Sequence, residues 1–436
     1  MPVSISTLVE PIAPARLGRS FRWLFASSVV SNVGDGIALA AGPLLIASQT
    51  SDPLLVSMAL LAQVLPPLLF GVIAGAAADR LDRRRIVIVV NLARALVLAV
   101  LAATITTGAV SIEVVLASLF VLGTAETFAD VAASSLLPRL VRREDVGIAN
   151  ARLQGAFLLT NQLLAPPVGA FLFVVGMALP FAANAVCFAL GAVLVTRVVS
   201  NRGRERGPVL EPGLEADLGP TGEPRRSLRR DLADGVRWLA AHPPMRTLVL
   251  TIIAFNVTYG AAWSVLVLYA REQLAMDEVG FGLITTAIAI GGVIGTSAYG
   301  RLERRFSLGD IMRVGLVIET LTHLVLALTT SPLIALATMV VFGAHAFVWG
   351  TTATTIRQRA VPDELLGRVT GVYTVAVFGG MVIGTPIGGL LARELGITAP
   401  FWFGFVGSAI LVALLWRQFS HIAHAGSATP SATPSG

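Results

Sequence analysis

Asp35, Glu126, Asp130, Glu319, His323 and His345 are titratable residues that lie inside long apolar runs. An acid near the middle of a bilayer costs on the order of 2.5–3.5 kcal/mol by insertion scales, so each one needs a reason. The chemistry open to such groups is proton or cation binding. Asp35 lies about 13 residues into the first run, about 20 Å along a helix that rises about 1.5 Å per residue. It is read either as a proton- or cation-binding group facing a central cavity, or as a packing residue hydrogen-bonded to Asn32 or to a neighbouring span. Glu126 and Asp130 are four apart and share a helix face. So do Glu319 and His323, whose spacing suits a private hydrogen bond that supports packing. His345 can titrate near neutral pH, although a lone histidine in an apolar run is more often structural.

Other chemistries have no residues to carry them. There is no Gly-x4-Gly-Lys-Ser/Thr loop to cradle phosphates, no Gly-x-Ser-x-Gly elbow and no His-Glu-x-x-His pair. Cys187 is the single cysteine, which excludes an intrachain disulfide and a cysteine-rich metal site. No cofactor is expected, and no enzyme activity. The basic residues are all arginine, and the net charge is +6. They lie mostly in short loops between apolar runs, so they are read as setting topology rather than binding nucleic acid.

The elements that position these residues are membrane helices. Hydrophobic residues make up 55% of the chain and charged residues only 13%, and mean hydropathy is +0.78. Runs this long and this uniformly apolar must be helices, because lipid cannot satisfy loose backbone groups. Twelve spans are expected: 22–48, 54–78, 85–107, 112–133, 150–175 and 178–198, then 246–271, 279–299, 309–330, 332–356, 367–393 and 398–419. One offset of 220 residues relates the two sets. It places Gly75 on Gly295, Arg84 on Arg304, Arg139 on Arg359, Pro166 on Pro386 and Gly169 on Gly389. The chain is therefore read as two copies of one unit, the pattern of a transporter that rocks about a central site. Asp35 falls on Phe255, so its charge is not required by the architecture.

The arginine-rich loops all fall on one side, predicted to be cytoplasmic together with both termini. The expected organisation is an N-terminal bundle over 1–198, a cytoplasmic linker over 199–245, a C-terminal bundle over 246–420 and a disordered tail over 421–436. Within the linker, 227–241 reads as an interfacial helix with Ser227 as a candidate N-cap.

Gly75-Ala-Ala-Ala-Asp79-Arg80-Leu-Asp82-Arg83-Arg84-Arg85 follows the second span. Gly75 permits close helix approach. The charge cluster after it can hold one half against the other in one state and release it in the next. This segment resembles the signature loop of the major facilitator superfamily, with Asp82 in place of the usual second glycine. Ser31-Asn32-Val33-Gly34-Asp35 and Val361-Pro362-Asp363-Glu364-Leu365-Leu366-Gly367-Arg368 are similar to the branch that contains macrolide and enterobactin exporters. The resemblance implies an all-α membrane protein of twelve transmembrane helices in two pseudo-symmetric six-helix bundles. It also implies a conformational latch built from Gly75, Asp79, Arg80, Arg83 and Arg84, in which Asp130 pairs with Arg83. The second copy is degraded, with Tyr299 and Gly300 at the positions of Asp79 and Arg80.

In that family spans one, four, seven and ten line the cavity. This makes Asp35 and Glu126 the coupling candidates, and places Asn32, His345, Trp349, Tyr259 and Trp263 near substrate. Phe128, Asn161, Gln162 and Asn256 are further lining candidates. The resulting expectation is proton-coupled efflux of an amphiphilic small molecule by a monomer in the bacterial inner or plasma membrane. An importer on the same fold and a membrane sensor that does not transport are the rivals.

Overall fold

The computed structural model describes residues 15–199 and 228–419. The linker over 199–226, Ser227, the tail over 421–436 and both termini are expectations that lie largely outside the described residues.

All regular structure among the described residues is helical. The first six spans are Gly18–Gln49, Pro53–Arg80, Arg83–Thr106, Ile112–Leu136, a composite fifth and Leu179–Thr196. The fifth runs through Val146–Phe157, a π segment Leu158–Leu164 and Ala165–Val175. Spans eight to twelve are Glu278–Arg305, Leu308–Leu328, Pro332–Ala360, Asp363–Leu395 and Ala399–Leu415. Among the described residues, eleven apolar helices are long enough to cross a membrane. The twelfth, at 17 residues, still covers about 26 Å of a hydrocarbon core about 30 Å thick.

Local chemistry sets the boundaries. Asp52 caps the second span by accepting from Leu54 N at 2.9 Å, with Pro53 at the first helical position. Asp82 caps the third through Arg84 N at 3.1 Å, and Asp277 the eighth through Gly280 N at 2.7 Å. Several helices outrun their apolar windows. Span one starts at Gly18 rather than 22, and span ten continues to Ala360 rather than 356. Hydropathy marks only the part in hydrocarbon, whereas the hydrogen-bonded helix continues into the polar interface. Span seven departs further, breaking at Ser264 and Val265 between Pro243–Trp263 and Leu266–Glu272.

Neighbour relations repeat between the halves. Span one packs on five and six, two on four, and three on four and six. Adding six to each number gives the second half: seven on eleven and twelve, eight on ten, nine on ten and twelve. Spans one and seven are each crossed closely by a glycine at equivalent positions on those spans. Gly169 lies against the Ile37 carbonyl, and Gly384 against the carbonyl of Val257, with no room for a Cβ at either glycine. Ile37 and Val257 are 220 apart. Close backbone approach through small residues is how helices gain packing energy in lipid, where burial of apolar surface supplies no drive between them. Leu92, Leu96, Val100, Phe171, Val174 and Leu190 are exposed, forming surface suited to acyl chains and not to water.

The halves meet through spans two and eleven and through spans five and eight. Named contacts fall away from the arginine-rich loops. Gly389 abuts Leu54 and Ser57, Gly282 abuts Pro166 and Ala170, and Arg271 donates to the Ala47 carbonyl at 2.9 Å. Towards the arginine-rich face, Gly75, Gly147, Gly155 and Gly367 border open space. The structure is joined at the arginine-poor face and open at the other.

Within the expected linker, a helix is described over Leu228–Ala241, and it packs on span eleven. Asp234 lies 3.7 Å from Arg368.

Candidate functional site

The charges of the N-terminal half converge on an arginine. Arg94, near the middle of span three, places a guanidinium nitrogen 2.8 Å from Asp35 Oδ1 and 3.9 Å from Glu126 Oε2. Its side chain is 6% exposed, against 24% for Asp35 and 55% for Glu126. The Phe188 ring of span six covers the guanidinium at 3.9 Å from its centroid. A buried arginine thus bridges acids from spans one and four, and the outer acid is open to solvent-accessible space. A buried cation of this kind is stable only while paired. Loading a proton on Asp35 weakens its hold on Arg94, and Glu126 is the second carboxylate within reach.

Asp35 is thus bonded to a neighbouring span, one of the expected alternatives, and not to Asn32. The Asn32 side chain donates to Ser28 Oγ at 3.3 Å, and its carbonyl accepts from Asn161 at 3.4 Å. Arg94 is a site residue the sequence reading missed. Its signal was an arginine in the interior of an apolar span rather than in a loop. The π segment of span five was also missed. It carries Asn161 and Gln162, whose side chains bond each other at 2.8 Å. Such widened turns occur often at functional sites.

A cavity of about 310 Å³ lies between the halves. Leu39, Pro43 and Gln63 line it from the first half, with Gln162 from the π segment. Tyr259, Trp263 and Met381 line it from the second. Tyr259 and Trp263 stack with centroids 4.5 Å apart, and Phe342 of span ten lies 4.7 Å from Trp263. Tyr259 and Trp263 thus form an aromatic face that borders the space between the halves. Such a wall suits planar or cationic amphiphiles. Asn256 is buried and donates to the Ile252 carbonyl at 2.8 Å, away from this role.

His345 does not line that cavity. Its Nε2 lies 3.2 Å from Glu319 Oε2, and Glu319 Oε1 lies 3.4 Å from His323 Nδ1. The expected private Glu319–His323 pair is thus a three-residue cluster that joins spans nine and ten. His345 and Trp349 also border a larger apolar groove of about 540 Å³ between spans eight, nine and ten.

In the signature loop Arg83 lies 3.6 Å from Asp79. No ion pair between Arg83 and Asp130 appears among the described residues, and Asp130 is exposed. Arg84 donates to the carbonyls of Val195, at 3.2 Å, and Thr196, tying the loop to span six. Gly75 borders open space and Arg80 is exposed. Among the described residues, the contacts named here for the loop stay within the first half. The second copy retains an ionic contact of its own. Glu303, at the position of Arg83, pairs with Arg359 at 2.7 Å, and Tyr299 bonds Thr355 at 3.3 Å.

Known proteins share this architecture. The chain is 28% identical over 395 residues to the multidrug efflux pump Tap of Mycolicibacterium fortuitum, covering 87% of this chain and 90% of that protein. Over 219 residues it is 26% identical to the enterobactin exporter EntS of Escherichia coli K12, covering 50% of this chain and 52% of the exporter. A bacterial homologue of the iron transporter ferroportin superposes with a TM-score of 0.69 in its inward-facing state, at 17% identity and over 93% of this chain. The TM-score is 0.59 for the outward-facing state. A family profile described as transmembrane secretion effector matches residues 9–432. Twelve helices in two related bundles, a charged loop after the second span and this match agree: the chain is a multi-pass membrane transporter, not an enzyme, and belongs to the transmembrane secretion effector family of the major facilitator type.

Proposed function

We propose that this protein exports an amphiphilic small molecule across the bacterial inner membrane as a monomer, in exchange for protons. The observation that carries the reading is the Asp35–Arg94–Glu126 bridge, an ionic contact at mid-membrane whose acids come from two different helices. Substrate enters from the arginine-rich, cytoplasmic face and rests against Tyr259 and Trp263. The bridge is broken when Asp35 takes a proton, which frees Arg94 to pair with Glu126. Moving that charge between spans one and four changes the packing of the N-terminal half and favours opening at the opposite face. Return of the proton to the cytoplasm restores the bridge. One charge crossing about 100 mV supplies about 2.3 kcal/mol, to which a pH gradient adds. The efflux pump and exporter named above support the outward direction.

The organisation proposed is two bundles, 1–198 and 246–420, joined by a cytoplasmic linker. In it Gly75, Asp79, Arg80, Arg83, Arg84 and Asp130 engage as a latch when the cytoplasmic face closes. The test is transport into liposomes of purified protein under an imposed pH gradient, with lipophilic cations, macrolides and siderophores as probes. Gradient-driven movement that is lost in Asp35→Asn and in Glu126→Gln is the expected result. Full movement in both variants would overturn the coupling assignment.

A further inference from the structure

The Glu319–His323–His345 cluster lies outside the N-terminal bridge and has a definite proton count. Glu319 and His323 are fully buried, and the His345 side chain is 2% exposed. His323 Nδ1 lies 3.0 Å from the Glu319 backbone carbonyl. A carbonyl only accepts, so Nδ1 carries a hydrogen. The 3.2 Å contact between His345 Nε2 and Glu319 Oε2 needs one hydrogen between them. With those hydrogens alone the cluster is a carboxylate beside two neutral imidazoles, with net charge −1. A bare buried carboxylate costs several kcal/mol in such surroundings, and one further proton removes that charge. Two polar atoms stand ready for it, because His323 Nε2 and Glu319 Oε1 have no hydrogen-bond partner among the described residues.

Among the described residues, the elements packed around the cluster supply no compensating cation. Span seven presents Tyr259, within electrostatic reach of Glu319, and Trp263, whose ring lies 6.0 Å from His323 edge-on. Span ten presents His345 and Phe342, their rings 6.2 Å apart. Span twelve, Ala399–Leu415, contains no titratable residue and sets Gly404 against His323. On span nine, Arg313 is held by Asp310 at 3.1 Å and by the Trp416 carbonyl at 2.9 Å. Trp263 faces the cluster on one side and lines the central cavity on the other, and buried Phe342 packs between Trp263 and His345.

We propose that Glu319, His323 and His345 form a second proton-binding site, which holds one exchangeable proton and acts on the central cavity through Trp263 and Phe342. The proton comes from water and returns to water; no other bond changes. Its occupancy stands independently of the transport reading, whereas its effect on export rests on that reading.

The first test is imidazole nitrogen NMR of the tag-free protein in nanodiscs from about pH 5 to about pH 8, with infrared detection of protonated carboxyls. The chain has five histidines, so His323→Gln and His345→Gln assign the two signals. The expected result is a doubly protonated imidazole, or a protonated Glu319, that disappears in Glu319→Gln. Two neutral imidazoles beside a bare carboxylate would overturn the proposal. The second test compares gradient-driven export with substrate counterflow, using only variants that remain monodisperse. In Glu319→Gln and His345→Gln the ratio of the two should fall about tenfold. Loss of coupling in Asp35→Asn with full coupling in both of these variants would overturn this site and leave the N-terminal one standing. The reverse pattern would overturn the assignment of Asp35.

Discussion

Replacing Arg94 by methionine removes the cation and keeps most of its volume. Asp35 then loses its 2.8 Å partner while three quarters of its side chain remains out of solvent. Removing one member of a buried pair costs about 3–5 kcal/mol, and the exposed quarter of Asp35 places this case near the lower bound, about 3 kcal/mol. The Asp35→Asn change should cost less, because Arg94 keeps Glu126 at 3.9 Å and the Phe188 ring at 3.9 Å. The double variant has no orphaned charge in the bridge to Asp35, so it should recover about 2 kcal/mol of the sum of the two single losses. The assay is equilibrium unfolding in mixed micelles, followed by tryptophan fluorescence, for the four members of the cycle. Additivity within about 0.5 kcal/mol would refute the argument, because independent sites add to that precision.

Three further outcomes follow from the geometry. Gly75→Val should leave the unfolding midpoint in micelles unchanged, since a Cβ there meets open space, yet it should abolish turnover if the loop closes on the other half; wild-type flux in proteoliposomes would exclude that closure. Arg271→Ala removes the charged hydrogen bond to the Ala47 carbonyl that joins the halves. A loss of about 1.5–3 kcal/mol shifts the equilibrium between states about 10- to 150-fold towards opening at the arginine-poor face, readable as a spin-label distance change across that face. Trp263→Ala removes half of a 4.5 Å stack from the cavity wall, and should raise the apparent KM for a planar cation about tenfold with little change for an aliphatic one.

The sequence made the fold legible because span length, loop arginines and the 220-residue offset are each local or periodic signals. Gly169 on Gly389 is visible in letters alone. The sites were legible only in part. Asp35, Glu126 and Glu319 stand out because an acid in an apolar run is anomalous on its own. Arg94 was missed because arginines had been counted as loop markers, and pairing it with Asp35 requires knowing that span three packs beside spans four and six. His345 was expected near the cavity from the placement of span ten. Helix rotation turns it instead towards Glu319 of span nine, and a single sequence does not encode rotation for a helix that is apolar on all sides. The π segment at Leu158–Leu164 has no composition signal either.

The central claim is that substrate and proton move in opposite directions through a cycle driven by Asp35. The most direct measurement loads liposomes with a pH-reporting dye, imposes a substrate gradient with no initial pH difference, and follows both species together. The account predicts lumenal pH change opposite in sense to substrate movement for the wild type, and none above leak for Asp35→Asn. Substrate movement in the wild type without any accompanying proton movement would contradict it.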